Sequence, residues 1–272
     1  MKIKRLLLSQ LEKKVLPGQV AVVYGPRRVG KTTLVKEYLD FYQGKYLFLN
    51  ADELASREAL ESQDAKKLGE LVNGINLLVI DEAQRVREIS LNLKILVDTY
   101  PQLSIIATGS ASFDLANKIN EPLTGRKSTL TLFPISFEEL VTKLGVFEAK
   151  KQLERWVVWG GYPNSVILES TQEREHFLDE LVGSYLYKDV LELDYVKRAD
   201  KIVDLLRLIA FQIGKEVSLA ELARNLALNR ETVERYLDLL EKVFVIFRVS
   251  GFSRNLRKEI VKNHRYYFYD NG

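Results

Sequence analysis

The stretch Gly25-Pro-Arg-Arg-Val-Gly-Lys-Thr32 constrains this chain more than any other, because of what stands on either side of it. Before it, Val20-Ala-Val-Val-Tyr24 is continuously apolar and reads as a buried strand; after it, Lys31 to Tyr42 reads as a helix. The spacing G-x-x-x-x-G-K-[ST] at a strand-to-helix turn is the pattern that wraps a phosphate. Glycines let backbone N–H groups turn inward, and the helix that follows adds the positive end of its dipole. A plain glycine-rich turn with an incidental lysine is the competing reading, and the flanking strand and helix argue against it.

The neighbouring runs extend the pattern. Lys45 to Leu49, Leu77 to Ile80, Leu103 to Ala107 and Ser128 to Leu132 read as further strands, and Leu91 to Tyr100 as a helix between the third and fourth. Apolar strands separated by helices predict an α/β fold with a parallel sheet covered on both faces. From about residue 136 the strand signals stop. Phe137 to Lys143, Ala149 to Trp159 and Arg174 to Leu193 read as helices, interrupted by the turn Gly160-Gly-Tyr-Pro163. Next come a helix over Ile202–Ile213, a capping box Ser218-Leu-Ala-Glu221, a turn at Ala227-Leu-Asn229, and a helix burying Val233, Tyr236, Leu237, Leu240 and Val243. With the strand Val245–Val249, this order predicts a winged helix-turn-helix. The expected division is 1–135 for the sheet domain, 136–200 for a helical domain, 201–255 for the winged helix and 256–272 for the start of something further.

Side-chain chemistry follows from that placement. Gly25, Pro26, Arg27, Arg28, Val29 and Gly30 form the loop. Lys31 is expected to reach the β and γ phosphates of a nucleotide, Thr32 to ligand Mg²⁺, and Thr33 to touch the α phosphate. In Leu77-Leu-Val-Ile-Asp-Glu82, two carboxylates appear where a buried strand emerges, the end at which open α/β sheets bind ligands. Asp81 is expected to hold Mg²⁺ through its water shell, and Glu82 to polarise the attacking water. The fourth strand leaves through Ala107-Thr-Gly-Ser110, so Thr108 or Ser110 is placed to position that water or to sense the γ phosphate. Arg126, just before strand five, is placed to stabilise transition-state charge, either within the chain or across a subunit interface; the bland alternative is a solvated surface charge.

Taken together, these residues resemble the AAA-type P-loop ATPases of bacteria and archaea that carry a C-terminal winged helix and then a restriction-endonuclease-like domain. The motifs are Gly25 to Thr33, Val79-Ile-Asp-Glu-Ala-Gln84, Thr108-Gly-Ser110, Thr124-Gly-Arg126, Leu132-Phe-Pro-Ile-Ser-Phe137, Gly160-Gly-Tyr-Pro163 and Tyr266-Tyr-Phe-Tyr-Asp-Asn-Gly272. The resemblance implies ATP and Mg²⁺ as ligands, ATP hydrolysis as the activity, a sheet order of 5-1-4-3-2 and a helical lid over 136–200. It implies that Tyr162 and Pro163 lie against the adenine. Arg5 resembles a residue that precedes the first helix, with no role attached. Asp270 corresponds to the first acidic position of the nuclease-like fold. Members continue beyond this point and the chain ends at Gly272, so it is expected to be a truncated form without nuclease activity.

Composition bounds the alternatives. There is no Cys and there are only two His in 272 residues, which excludes thiolate chemistry and a Cys/His metal site. No run is long and apolar enough for a secretory or membrane-spanning segment, so no membrane is expected and the cytoplasm is the default. The net charge of +3 implies no polyanion partner by itself. DNA is the alternative partner, with the chain then a DNA-binding regulator that uses ATP as a ligand. The helix Arg230–Lys242 argues against it, carrying three basic residues and four acidic ones. Arg248 to Arg265 argues for it, with Arg248, Arg254, Arg257, Lys258, Lys262 and Arg265 facing Glu259 alone. A small-molecule kinase is disfavoured, because such an enzyme needs no winged helix. A protein partner or a second copy of the chain fits an Arg126 that acts between subunits.

Overall fold

The structure, a computed structural model, describes residues 3–110, 123–193, 198–251 and 264–272. Its contacts divide the chain into two units, Met1–Leu153 and Glu154–Gly272.

The first unit is built on five parallel strands: β1 (Val20–Gly25), β2 (Tyr46–Asn50), β3 (Leu77–Asp81), β4 (Ser104–Ser110) and β5 (Lys127–Thr131). Their order is β2-β3-β4-β1-β5, the order the resemblance implies. The three inner strands are buried along their whole length, which is why they read as continuous apolar runs. On one face Ala21, Val23, Leu77, Val79 and Ile106 pack with Leu8 and Leu11 of α1 (Leu7–Lys14) and with Leu34, Val35 and Leu39 of α2 (Lys31–Leu39). The alternate residues Val22, Leu78, Ile80 and Ile105 are equally buried. Both faces are therefore covered. The β2–β3 crossover carries α3 (Leu54–Leu60) and α4 (Ala65–Leu71), and the β3–β4 crossover carries α5 (Ile89–Thr99).

β4 runs three residues further than its apolar stretch suggests, because small polar residues continue the ladder as far as Gly25↔Ser110. By their contacts α6 (Phe137–Leu144) and α7 (Val146–Lys151) belong to the first unit. α6 is anchored there by a full capping box between Ser136 and Glu139, and by an ion pair from Glu139 to Arg5 at 3.0 Å. A helix of the expected span 149–159 is in fact two, α7 and α8 (Leu153–Trp159).

The second unit continues with α9 (Pro163–Ile167), α10 (Thr171–Leu193), α11 (Ala199–Phe211), β6 (Glu216–Val217), α12 (Leu219–Leu226), α13 (Arg230–Lys242), β7 (Ile246–Val249) and β8 (His264–Phe268). Ser218 caps α12, and Asn229 caps α13 through a 2.7 Å bond from the Thr232 amide. The antiparallel sheet β6-β8-β7 brackets this helix pair, β6 preceding α12 and β7 and β8 following α13, with Phe247 stacked on Tyr267. Among the described residues no helix is long and apolar enough to cross a membrane.

Two glycine-rich sequences in this unit explain each other. The Asp270 carboxylate accepts from the Gly161 amide at 2.6 Å and the Gly272 amide at 3.1 Å. Gly160 sits at φ 72°, and a Cβ there would stand 1.9 Å from the Asp270 carboxylate oxygen. The Gly-Gly-Tyr-Pro turn and the Tyr-Asp-Asn-Gly segment thus need each other. Asp270→Ala is expected to cost about 1–3 kcal/mol, the penalty for stranding the buried Gly161 amide. Gly160→Ala should cost more, because left-handed backbone adds about 1–2 kcal/mol. Urea unfolding checks both; an unchanged midpoint for Asp270→Ala would refute the pairing. Burial also raises the Asp270 pKa above the ordinary carboxylate range. The folded state therefore holds this proton more tightly than the unfolded chain, and the group's contribution to stability falls as pH rises between the ordinary and raised values. Asp270→Asn should flatten that slope.

Candidate nucleotide site

The loop between β1 and α2 has left-handed backbone at Gly25 (φ 153°), Arg28 (φ 57°) and Gly30 (φ 99°). Gly25 admits no side chain: a Cβ would lie 2.2 Å from the Leu132 carbonyl oxygen, where the chain leaving β5 crosses the loop. Gly30 is the N-cap of α2. It supplies no side-chain cap to the first-turn amides, and no acidic residue occupies that turn. By contrast, α4, α6, α12 and α13 are capped by Asp64, Ser136, Ser218 and Asn229. An uncapped helix start behind an inward-turned glycine loop suits an anion. Lys31 is only 5% exposed, and its ammonium donates to the carbonyls of Gly25 (3.0 Å) and Pro26 (2.9 Å). The cation is thereby held across the mouth of the loop.

Strand register brings the remaining groups together. Ile80 pairs with Ala107, so Asp81 emerges beside Thr108, and Ser110 pairs with Gly25. Asp81 is 5% exposed. Its carboxylate accepts from the Thr32 hydroxyl at 2.7 Å, across 49 residues of sequence, and from the Thr108 hydroxyl. Glu82 leaves the strand in left-handed conformation (φ 53°, ψ 41°). Its amide donates to the Thr108 hydroxyl at 3.2 Å. For a non-glycine residue this backbone is uncommon and stores strain of a kind that gathers at functional sites. Here it swings Glu82 off the strand axis, so that two successive carboxylates have separate partners. The Gln84 amide donates to the Glu82 carboxylate and to the Ser110 hydroxyl (3.1 Å).

The open choice between Thr108 and Ser110 thus resolves into two places, one against Asp81 and one against Gln84. Gln84 appears in the sequence only as part of a motif. Nothing in one chain marks a glutamine as the partner of a carboxylate two residues earlier, since that contact depends on the left-handed turn between them.

Arg126 is placed elsewhere. Its carbonyl accepts from the Val20 amide, at the start of β1, and its guanidinium pairs with Asp98 of α5. The loop begins at Gly25, about 17 Å away at about 3.3 Å per strand residue. Arg126, expected to act either within the chain or across a subunit interface, stands at the opposite end of the strands from the loop. Tyr162 and Pro163 belong to the second unit. The Tyr162 ring is buried with Phe177 and Leu181, and Pro163 is the first residue of α9.

The donor set suits magnesium. A hydroxyl and a carboxylate oxygen, already in contact, are the hard ligands that ion takes alongside phosphate and water. Among the described residues no group of three His, Cys, Asp or Glu could hold a metal by itself.

Residues 17–141 match the family model described as AAA domain, and residues 150–272 match a domain of unknown function. The matched segment lies in the first unit, on the five-stranded parallel sheet flanked by helices, and is similar to the AAA domains. The chain is similar to uncharacterized proteins of Methanocaldococcus jannaschii (25% identical over 269 residues, 92% of this chain and 60% of that one) and Mycobacterium tuberculosis (28% over 270 residues, 97% and 57%). One of Haemophilus influenzae is 25% identical over 276 residues, 93% of this chain and 68% of that one. The chain spans about 60% of the length of such relatives. Among solved structures it is similar to the replication initiator DnaA bound to AMPPCP and single-stranded DNA (16% identical, 89% of each chain, TM-score 0.37). Another is a signal transduction ATPase with a tetratricopeptide repeat sensor from Pyrococcus horikoshii (15% identical, 90% of this chain and 40% of that one, TM-score 0.42). Likenesses this loose carry no functional weight.

Proposed function

We propose that this protein binds ATP with Mg²⁺ and hydrolyses it, the nucleotide state serving as a switch. The observation that carries this is the 2.7 Å bond from Thr32 to Asp81, which joins the loop to the strand tip. In this reading Lys31 exchanges the carbonyls of Gly25 and Pro26 for β and γ phosphate oxygens, and the amides of residues 27–33 surround them. Thr32 and Asp81 would hold the magnesium, which would supply positive charge against the phosphates. Glu82 accepts a proton from water as its oxygen bonds to the γ phosphorus and the bridge to the β phosphate breaks, leaving ADP and phosphate. Gln84 and Ser110 keep the carboxylate in place. Arg126, if it serves the reaction, serves that of a second copy of the chain. The assignment of Tyr162 and Pro163 to the adenine rests on the resemblance alone, as does a lid over 136–200; the cytoplasmic setting rests on the apolar runs of the sequence.

Calorimetric titration tests the reading. ATP should bind in the presence of Mg²⁺ and more weakly in EDTA, and Asp81→Asn should remove most of that difference. Failure of ATP to bind at millimolar concentration would overturn it.

A second reading, DNA binding, is supported by one observation: the capped pair α12–α13 lies between β6 and β7, two strands of one antiparallel sheet with β8, as a winged helix-turn-helix would require. Most of the basic stretch that would make the contact, 252–263, lies outside the described residues. A salt-dependent retardation of duplex DNA would support this reading, and no retardation at low salt would exclude it.

A further inference from the structure

Arg5 has no part in the chemistry above, yet it is among the most committed side chains of the first unit. It is 8% exposed. Its Nε donates to the Glu139 carboxylate at 3.0 Å, one terminal nitrogen to the Val29 carbonyl at 3.0 Å, and the other to the Phe133 carbonyl. Glu139, 4% exposed, also accepts from the Leu6 amide (2.8 Å) and the Ser136 amide (2.8 Å). One buried ion pair therefore joins the phosphate loop, the chain leaving β5 and the first turn of α6. Buried pairs are poor sources of stability, because desolvation offsets the attraction. What the planar fork of arginine supplies is direction, through donors fixed relative to one another.

That direction falls on a particular peptide. The Val29 carbonyl and the Gly30 amide belong to one planar trans unit, in which C=O and N–H point opposite ways. Holding the carbonyl toward Arg5 turns the Gly30 N–H away from Arg5. Gly30, at φ 99°, has no side chain to hold that geometry itself. We propose that Arg5 is a positioning residue of the phosphate loop: it sets the Val29–Gly30 peptide with its N–H on the phosphate side and, through Glu139, ties that orientation to the segment from Phe133 to Glu139. The proposal rests on the nucleotide reading of the loop.

The test uses Arg5→Lys, which keeps the charge for Glu139 but cannot reach both carbonyls as a fork. In the ¹⁵N-labelled full chain, the Gly30 amide resonance of Arg5→Lys should shift before any nucleotide is added, and the Kd for MgATP should rise about tenfold with the thermal midpoint little changed. A second measurement needs no variant: on adding MgATP to the wild-type chain, the Arg5 Nε–H resonance should move together with that of Gly30. An unchanged Gly30 resonance and Kd in a folded Arg5→Lys, or an Arg5 signal indifferent to MgATP that the wild type demonstrably binds, overturns the proposal and leaves the nucleotide reading standing. If the wild type binds no MgATP, both fall. If Arg5→Lys does not fold, the wild-type Arg5 signal alone decides.

Discussion

Lys31→Ala is expected to abolish ATP binding while leaving the sheet in place. The ammonium is buried and pointed across the loop by the Gly25 and Pro26 carbonyls, so reaching a phosphate requires only an exchange of acceptors. A charge-assisted hydrogen bond contributes about 1.5–3 kcal/mol, and a lysine bridging two phosphates makes two of them. The loss is therefore about a hundredfold or more in Kd, enough to take micromolar binding into the undetectable range. The substitution also strands two loop carbonyls, at a cost in stability of about 1–3 kcal/mol each if water does not reach them. Circular dichroism and a thermal midpoint should accompany the titration. Retained tight binding by a folded Lys31→Ala protein would refute the phosphate loop as the seat of function.

Glu82→Gln should separate binding from turnover. The amide can still accept from Gln84, so the local arrangement survives, but it cannot take a proton from water. General-base contributions are typically about 10²–10⁴-fold, and phosphate release should fall by that factor while the Kd for ATP stays within a few-fold of wild type. Asp81→Asn is expected to behave differently, weakening the magnesium-dependent part of binding. The contrast follows from geometry: Asp81 faces Thr32 and Thr108, whereas the left-handed backbone of Glu82 sends its carboxylate to Gln84. Unchanged phosphate release in Glu82→Gln would remove Glu82 from the mechanism.

On the proposed reading, the position of Arg126 ties hydrolysis to assembly. An arginine at the far end of the strands, paired with Asp98, can meet a γ phosphate only on another molecule. Sedimentation with and without nucleotide checks this. A chain that hydrolyses ATP at an undiminished rate as a monomer leaves Arg126 a surface ion pair.

Local order determined much of this protein. The buried strands, the loop at Gly25–Thr32 and the caps at Ser136, Ser218 and Asn229 are short-range features, and each is written in a few consecutive residues whose apolar pattern, backbone freedom or side-chain oxygen acts on its immediate neighbours. Tertiary structure decided whatever depends on partners distant in sequence. Strand register divided Thr108 from Ser110 and carried Arg126 away from the loop. The crossing of Leu132 over Gly25, the fit of Asp270 against Gly160 and the grip of Arg5 on Val29 are likewise contacts between segments that a linear reading cannot pair. A hydrogen bond or an ion pair depends on distance in space, and only packing of the sheet and its helices sets that distance.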